Sequence, residues 1–262
     1  MAGRFGIWAA SAAALLTLGA APMVAPPPGA SGYLGPALPD TYAVLPPSPA
    51  PGSPREEADQ RVFRGTRALK DTPRWALAQN DANQAAIVQD LACAIGAELT
   101  PRNAPRTFAL ILKMAPDVSH ATNRPKDIYK RPRPYLLYGG EICVPKTPSL
   151  AASPDYPSGH NAWGWAVGLV MAELAPDRAT PILMRARAFG ESRLVCGVHS
   201  LSAVQAGRLN GSMVVAALHG DAAFRADMDA ARAEVAAARR RGPFPDPAAC
   251  AREASLVAQN PY

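Results

Sequence analysis

The sequence lacks several features that mark membrane proteins and nucleic-acid-binding proteins. After the first 25 residues no apolar run reaches the roughly 20 residues that a spanning helix needs, and the longest, residues 162–175, contains Glu173. The 27 basic residues form no dense block interleaved with aromatic residues, which make up only 6% of the chain. We therefore predict no nucleic-acid partner. The net charge of +6 suits an anionic small-molecule substrate instead.

The one marked apolar segment lies at the start of the chain. Arg4 supplies a short positive region, residues 6–18 are apolar, and small residues near position 20 offer a cleavage site. This pattern is typical of a secretory signal peptide, predicted here as residues 1–21, with an uncleaved membrane anchor as the alternative. We therefore predict a periplasmic or secreted protein without stable membrane association after cleavage.

Segments that alternate as strands do are rare, and the chain has only four cysteines. An Ala-rich second half favours helices packed through small side chains, so we predict an all-α fold, a compact helical bundle. The cysteines lack the close spacing of zinc ligands, and we predict neither a metal site nor a cofactor. In an exported chain they predict two disulfides without choosing among three pairings, or else buried free thiols: Cys93, Cys143, Cys196 and Cys250.

Proline divides the chain into an arm and a helical domain. Residues 22–54 hold 11 of the 28 prolines, which predicts an extended arm or linker without helix. Residues 55–262 form the helical domain, with weaker helical spacing at 61–69, 74–93 and 105–114, interrupted by Pro73, Pro101 and Pro116. An irregular region is predicted over residues 131–157. The clearest predicted helices are residues 160–175, 179–190, 201–218 and 221–241.

A cationic segment, KDIYKRPRP, spans residues 126–134. Lys126 and Arg133 are seven residues apart, which is two turns of a helix, but Pro132 predicts that the helix ends before Arg133. Arginine binds phosphate oxygens in a bidentate fork and lysine acts as a point charge. A solvated surface run is the alternative for this segment taken alone.

Two further segments combine a histidine with groups that favour an anion. Ser158, Gly159 and His160 precede an apolar helix, where an N-cap serine, a small glycine and free amides suit a bound oxyanion. Arg193 and His199 stand six residues apart before another helix. Two histidines in one cationic pocket can divide phosphoryl transfer, one attacking phosphorus and the other protonating the leaving alcohol.

The pattern Lys-x6-Arg-Pro, Pro-Ser-Gly-His and Ser-Arg-x5-His resembles the superfamily of vanadium haloperoxidases and type 2 phosphatidic acid phosphatases. The sequence flanking these motifs is similar to that of class A bacterial acid phosphatases, over roughly residues 50–240. The resemblance implies an all-helical fold of this type and a phosphohistidine intermediate on His199, with His160 as proton donor. It also implies that the other motif residues bind phosphate: Lys126, Arg133, Ser158, Gly159 and Arg193.

One position departs from the family pattern. The pattern continues from the nucleophilic histidine with x3-Asp, and this position is Ala203. In a Ser-His-Asp triad the comparable loss costs about 10⁴ in rate. The sequence offers four groups that could replace this aspartate as the partner of His199: a backbone carbonyl, Ser202, Gln205 or Glu191.

These observations give a ranked set of hypotheses. The first is a secreted, metal-independent acid phosphatase that hydrolyses small phosphate monoesters, takes phosphate or vanadate as a site ligand, and is a possible homo-oligomer. The second is a catalytically weakened member that binds phosphate or phosphoesters. A vanadium-dependent haloperoxidase is the third and least favoured.

Overall fold

The computed structural model describes residues 31–262, and this part of the chain consists of helices and connecting segments without a strand. The predicted signal peptide, residues 1–21, lies outside the described residues. The α-helices of the described part are α1 (Thr41–Val44), α2 (Pro54–Thr66), α3 (Pro73–Asn80), α4 (Ile87–Asp90), α5 (Ala92–Ile95), α6 (Pro105–Tyr129), α7 (Pro134–Tyr138), α8 (Pro148–Ala152), α9 (Gly159–Leu174), α10 (Ala179–Cys196), α11 (Leu201–Leu218), α12 (Ala222–Arg241) and α13 (Pro247–Val257). None of them is long and apolar enough to cross a membrane.

Helix α9 is the centre of the bundle. It is buried on nearly every side and packs against α10, α11 and α6. Small residues make this close packing possible: a Cβ on Gly207 of α11 would lie 2.4 Å from the backbone oxygen of Ser158. Because Ser158 is the N-cap of α9, the close approach at Gly207 fixes the start of α9 against α11.

We expect Gly207→Ala to destabilise the fold, because neither helix backbone can yield the space that the methyl group needs. The expected loss is about 1–3 kcal/mol in the free energy of unfolding, measured by urea denaturation. The matched control is Gly65→Ala in α2, where an added Cβ meets nothing within 4 Å. Alanine there is expected to be neutral or to stabilise by up to about 1 kcal/mol. Equal losses in both variants would contradict the packing argument.

The four clearest predicted helices are confirmed as α9 to α12, although α10 continues to Cys196, six residues beyond its predicted end. Two other predictions are wrong. The predicted interruption at Pro116 does not occur, because α6 continues through it and also contains Pro125. The stretch before residue 55 was predicted to contain no helix, yet it contains α1 and a 3₁₀ turn, Gly35–Ala37. The region 131–157 also contains two short helices, α7 and α8.

One contact accounts both for the helix before residue 55 and for the continuation of α6 through Pro125. Pro125 has no N–H and leaves the carbonyl of Ala121 without its intrahelical donor. The buried hydroxyl of Thr41, in α1, donates to that carbonyl at 2.5 Å. The N-terminal segment therefore packs on α6 and supplies the hydrogen bond that proline removes.

The cysteines form two disulfides, Cys93–Cys250 and Cys143–Cys196. The first joins α5 to α13 across 157 residues of sequence, and the second joins the segment after α7 to the end of α10. The second bond anchors the end of α10, three residues before His199, and the backbone N–H of Cys143 also donates to the carbonyl of Cys196 at 3.0 Å. The turn that carries His199 is thus held covalently.

Candidate active site

The cationic segment enters the site from the end of α6. Lys126 lies in the last turn of α6, is buried, and its Nζ donates to the carbonyl of Pro154. The helix ends at Tyr129, and Arg133 is the N-cap residue of α7. The guanidinium of Arg133 donates from Nε to the carbonyl of Ser153 at 2.8 Å and from Nη1 to the carbonyl of Val198 at 2.8 Å. Arg133 therefore links the segments that carry His160 and His199.

The N-terminus of α9 faces Lys126. Ser158 is buried, and its hydroxyl accepts from the backbone N–H of Asn161 at 3.4 Å, as an N-cap does. Gly159 follows as the first residue of the helix, where a Cβ would lie 3.3 Å from Thr122 Cγ2 and 4.0 Å from Lys126 Cε. The positive end of the helix dipole and a lysine therefore meet at one point.

Two buried side chains next to this point have polar atoms without a hydrogen-bond partner among the described residues. His160 stacks on Phe189, with ring centroids 4.3 Å apart, and its Nε2 has no partner. Arg193 is also buried, and its Nε and Nη1 have none. Because buried polar groups are nearly always hydrogen-bonded, these atoms are available to bind a polar ligand.

His199 is held between a cation and a carboxylate. Its Nε2 lies 3.2 Å from Arg133 Nη1, and its Nδ1 lies 2.9 Å from Asp155 Oδ1. Arginine only donates hydrogen bonds, so Nε2 must be the unprotonated nitrogen and Nδ1 must carry the hydrogen that Asp155 accepts. The lone pair of a neutral His199 is therefore directed at the cations.

Arg133 and Arg193 act on both histidines. Burial lowers the pKa of His199 well below its usual value, and Arg133, Lys126 and Arg193 lower it further. Burial likewise lowers the pKa of His160, followed by the effects of Arg193 and His199. The structure therefore brings together His160, His199 and the three predicted cations, although their segments are distant in sequence.

Comparison with known proteins agrees with this arrangement. The profile of the PAP2 superfamily matches residues 106–225. The chain is 42% identical to an acid phosphatase from Zymomonas mobilis subsp. mobilis over 219 residues, which cover 82% of this chain and 83% of that protein. It is 37% identical to a non-specific acid phosphatase from Providencia stuartii, covering 75% of this chain and 81% of the relative. The chain belongs to the acid phosphatases of the PAP2 superfamily.

Among solved structures, this acid phosphatase is similar to a transmembrane PAP2 type phosphatidylglycerolphosphate phosphatase from Bacillus subtilis. The superposition has a TM-score of 0.49 at 18% identity and covers 69% of this chain and 89% of that one. The all-α prediction is confirmed by the helices of the described residues.

The sequence prediction missed one residue of this candidate site, Asp155, which contacts His199. The three side chains considered as partners of His199 have other contacts or none. Ser202 donates to Asp59 at 2.6 Å, Glu191 accepts from Arg208 at 2.9 Å, and Gln205 is exposed. The only sequence signal for Asp155 is a carboxylate in the loop before the Pro-Ser-Gly-His motif.

The charge of Lys126 gives the acid phosphatase a testable pH dependence. Burial, followed by repulsion from Arg133, lowers the pKa of Lys126 to about 8. Above pH 8 the empty site therefore loses a positive charge, and phosphate binding must restore the proton. We expect the slope of log Kd for inorganic phosphate against pH to steepen between pH 8 and 9.5, by up to one proton, in isothermal titration calorimetry.

The matched variant is Lys126→Arg, because a guanidinium keeps its proton throughout this range. The affinity of this variant for inorganic phosphate can differ from that of wild type, but the additional slope of log Kd against pH above pH 8 should disappear. The same steepening in both proteins would assign it to another group and contradict the lowered pKa of Lys126.

Proposed function

We propose that this acid phosphatase hydrolyses phosphate monoesters through a covalent phosphohistidine on His199. The observation that carries the proposal is the pair of opposite contacts on the His199 ring, a donor on Nε2 and a carboxylate on Nδ1. They leave the nucleophilic lone pair on Nε2, facing the cations. The lowered pKa of His199 keeps this nitrogen unprotonated in mildly acidic solution.

The proposed phosphate site is formed by the remaining motif residues. Arg193 has two buried nitrogens without a partner among the described residues, Arg133 contacts Nε2 of His199, and the charge of Lys126 acts on the same ring. The amide of Gly159 and the hydroxyl of Ser158 add neutral donors at the positive end of α9. Fixed donors of this kind stabilise the charge on the equatorial oxygens of the phosphoryl group during transfer.

In the first step, Nε2 of His199 attacks phosphorus and the P–O bond to the alcohol breaks. The leaving oxygen takes a proton from Nε2 of His160. Because the pKa of His160 is low in the empty site, the proton is acquired with the substrate, whose negative charge raises the proton affinity of the ring. The product is a phosphorylated imidazolium that retains the hydrogen on Nδ1.

In the second step, water attacks the phosphohistidine, the P–N bond breaks, and inorganic phosphate is formed. His160, neutral after the first step, accepts the proton of the attacking water. His199 leaves the cycle as the neutral ring with its hydrogen still on Nδ1. Every proton is accounted for by the two imidazoles and water.

We also propose that the protein acts outside the cytoplasm, in the periplasm or after secretion. The two disulfides support this location, since such bonds persist in oxidising compartments. The apolar start of the sequence, with its signal-peptide pattern, is the second support.

The test is to trap the intermediate with ³²P-labelled phenyl phosphate and denature the enzyme in base during turnover. Phosphorus bonded to a histidine nitrogen withstands base but is released by acid, whereas a serine phosphoester withstands acid. We expect one label per chain, on the peptide that contains His199, and none in His199→Gln. Label on another residue, or steady turnover without any label, would overturn the mechanism.

A further inference from the structure

The family carboxylate is missing four residues after His199, where this chain has Ala203. The methyl group of Ala203 packs in a buried apolar cluster with Leu45, Tyr156 and Ala206. The geometry points to Asp155, 44 residues before His199 in sequence, as the residue that positions and charge-stabilises the nucleophile in place of the missing carboxylate. This role rests on the proposed phosphohistidine mechanism.

Asp155 can adopt only one orientation, because both of its oxygens are fixed. Oδ1 accepts from His199 Nδ1 at 2.9 Å and from the backbone N–H of Ser200 at 3.1 Å. Oδ2 accepts from the Ser200 hydroxyl at 2.5 Å and from Arg131 Nη1 at 3.3 Å. The backbone N–H of Asp155 donates to the carbonyl of Arg131 at 2.8 Å. Because both of its oxygens are hydrogen-bonded, the Asp155 carboxylate fixes the orientation of the His199 ring.

The position of Asp155 answers an electrostatic need of the reaction. His199 becomes positively charged when Nε2 bonds to phosphorus, yet Arg133, Lys126 and Arg193 all disfavour a positive ring. A fully buried carboxylate in contact with Nδ1 opposes them at the closest distance. Burial raises the pKa of Asp155, and the charge of Arg131, followed by the Ser200 hydrogen bonds, opposes that rise. Asp155 accepts a hydrogen bond throughout and does not take the proton.

A neighbouring carboxylate provides a matched control. Asp59 is as buried as Asp155, also contacts Arg131, at 2.7 Å, and also binds a serine of the same turn, Ser202. Within residues 31–262, Asp59 bonds to Arg131 and Ser202 and makes no bond to His199. The variants Asp155→Asn and Asp59→Asn therefore remove one charge each from the same cluster, but only the first acts on the nucleophile.

We expect Asp155→Asn to lower kcat by about 10³- to 10⁴-fold, as the comparable change does in the serine protease triad. Asp59→Asn should lower kcat by less than about tenfold, with a similar loss of thermal stability. Binding of inorganic phosphate to Asp155→Asn should be unchanged or tighter, because a negative charge near the anion has been removed. A merely structural role would weaken phosphate binding together with kcat, equally in both variants, and that result would overturn the inference.

Two further measurements do not depend on the stability of Asp155→Asn. In wild-type enzyme labelled with ¹⁵N-histidine, His199, assigned against His199→Gln, should be neutral with its hydrogen on Nδ1. Hydrogen on Nε2 would overturn the inference. Ala203→Asp, which restores the family residue, should give no increase in kcat because Nδ1 is already occupied. An increase above tenfold would show that Asp155 does not fill the role.

The labelling and kinetic results together distinguish a failure of this inference from a failure of the proposed function. Absence of phosphate label on His199 in wild-type enzyme would remove the phosphohistidine mechanism itself. Normal labelling with equal kcat in Asp155→Asn and Asp59→Asn would leave the mechanism intact and remove only the role of Asp155.

Discussion

Replacement of His199 by alanine is expected to lower kcat toward phenyl phosphate by about 10⁵- to 10⁶-fold, the scale seen when a nucleophile is removed from a catalytic unit that works as a whole. The variant retains the cations and the positive end of α9, so it keeps the means to bind phosphate but not to form the P–N bond. We therefore expect the loss in kcat, with the Kd for inorganic phosphate changed by less than about tenfold. Steady-state kinetics and calorimetry on the same preparation measure both quantities.

The control for this prediction is His219→Ala. His219 is exposed at the end of α11, where its Nε2 lies 3.0 Å from Glu173 Oε1. This variant tests whether the loss of any histidine affects turnover. The kcat of His219→Ala should stay within twofold of wild type. Residual turnover above about 1% in His199→Ala, with no contaminating phosphatase, would require another nucleophile.

The helices of the second half could be predicted because their pattern is local. The apolar residues that specify α9 to α12 lie within each helix, a side-chain N-cap directly precedes α9, α11 and α12, and three arginines end α12. The continuation of α6 through Pro125 has the opposite origin. Whether Pro125 ends a helix depends on a donor for the Ala121 carbonyl, and that donor, Thr41, is 80 residues away. A rule that considers only the helix itself cannot include it.

The residues of the candidate site likewise fall into those that local sequence could indicate and one that it could not. Its cations and imidazoles could be predicted because each lies in a short motif with recognisable spacing. Asp155 could not, because its significance arises only when the loop before α9 folds onto the turn before α11. Reasoning from sequence searched for the partner of His199 near His199, at Ser202, Gln205 and Glu191. The carboxylate instead comes from a segment already fixed by Arg131 and Arg133.

Under the proposed role of Asp155, these contacts also account for the alanine at position 203. Arg133 joins the segment before α9 to the turn before α11, because its guanidinium bonds to the carbonyls of both Ser153 and Val198, the residue before His199. Asp155 lies two residues after Ser153 and contacts the ring of His199. The buried charges here alternate in sign, because Arg131 lies between Asp59 at 2.7 Å and Asp155 at 3.3 Å, so each carboxylate has a cationic neighbour.

Replacement of His160 by alanine should reveal its role through the leaving group. An alkyl phosphate releases a strongly basic alkoxide, which needs a proton as the P–O bond breaks, whereas 4-nitrophenolate leaves without one. General acid catalysis contributes typically 10²- to 10⁴-fold. We expect His160→Ala to lower kcat/KM by about 10³- to 10⁴-fold for an alkyl phosphate and by less than about tenfold for 4-nitrophenyl phosphate.

The comparison variant for His160→Ala is Arg193→Lys, which weakens the phosphate site without removing a proton donor. It should lower kcat/KM by a similar factor for every leaving group, because the transferred phosphoryl group is the same in each substrate. A series of substituted phenyl and alkyl phosphates then gives two plots of log kcat/KM against leaving-group pKa. The plot for His160→Ala should be steeper than that of wild type, and the plot for Arg193→Lys should be parallel to it. Parallel lines for both variants would mean that His160 contributes to binding rather than to proton transfer, since only a missing acid makes the rate more sensitive to the basicity of the leaving oxygen.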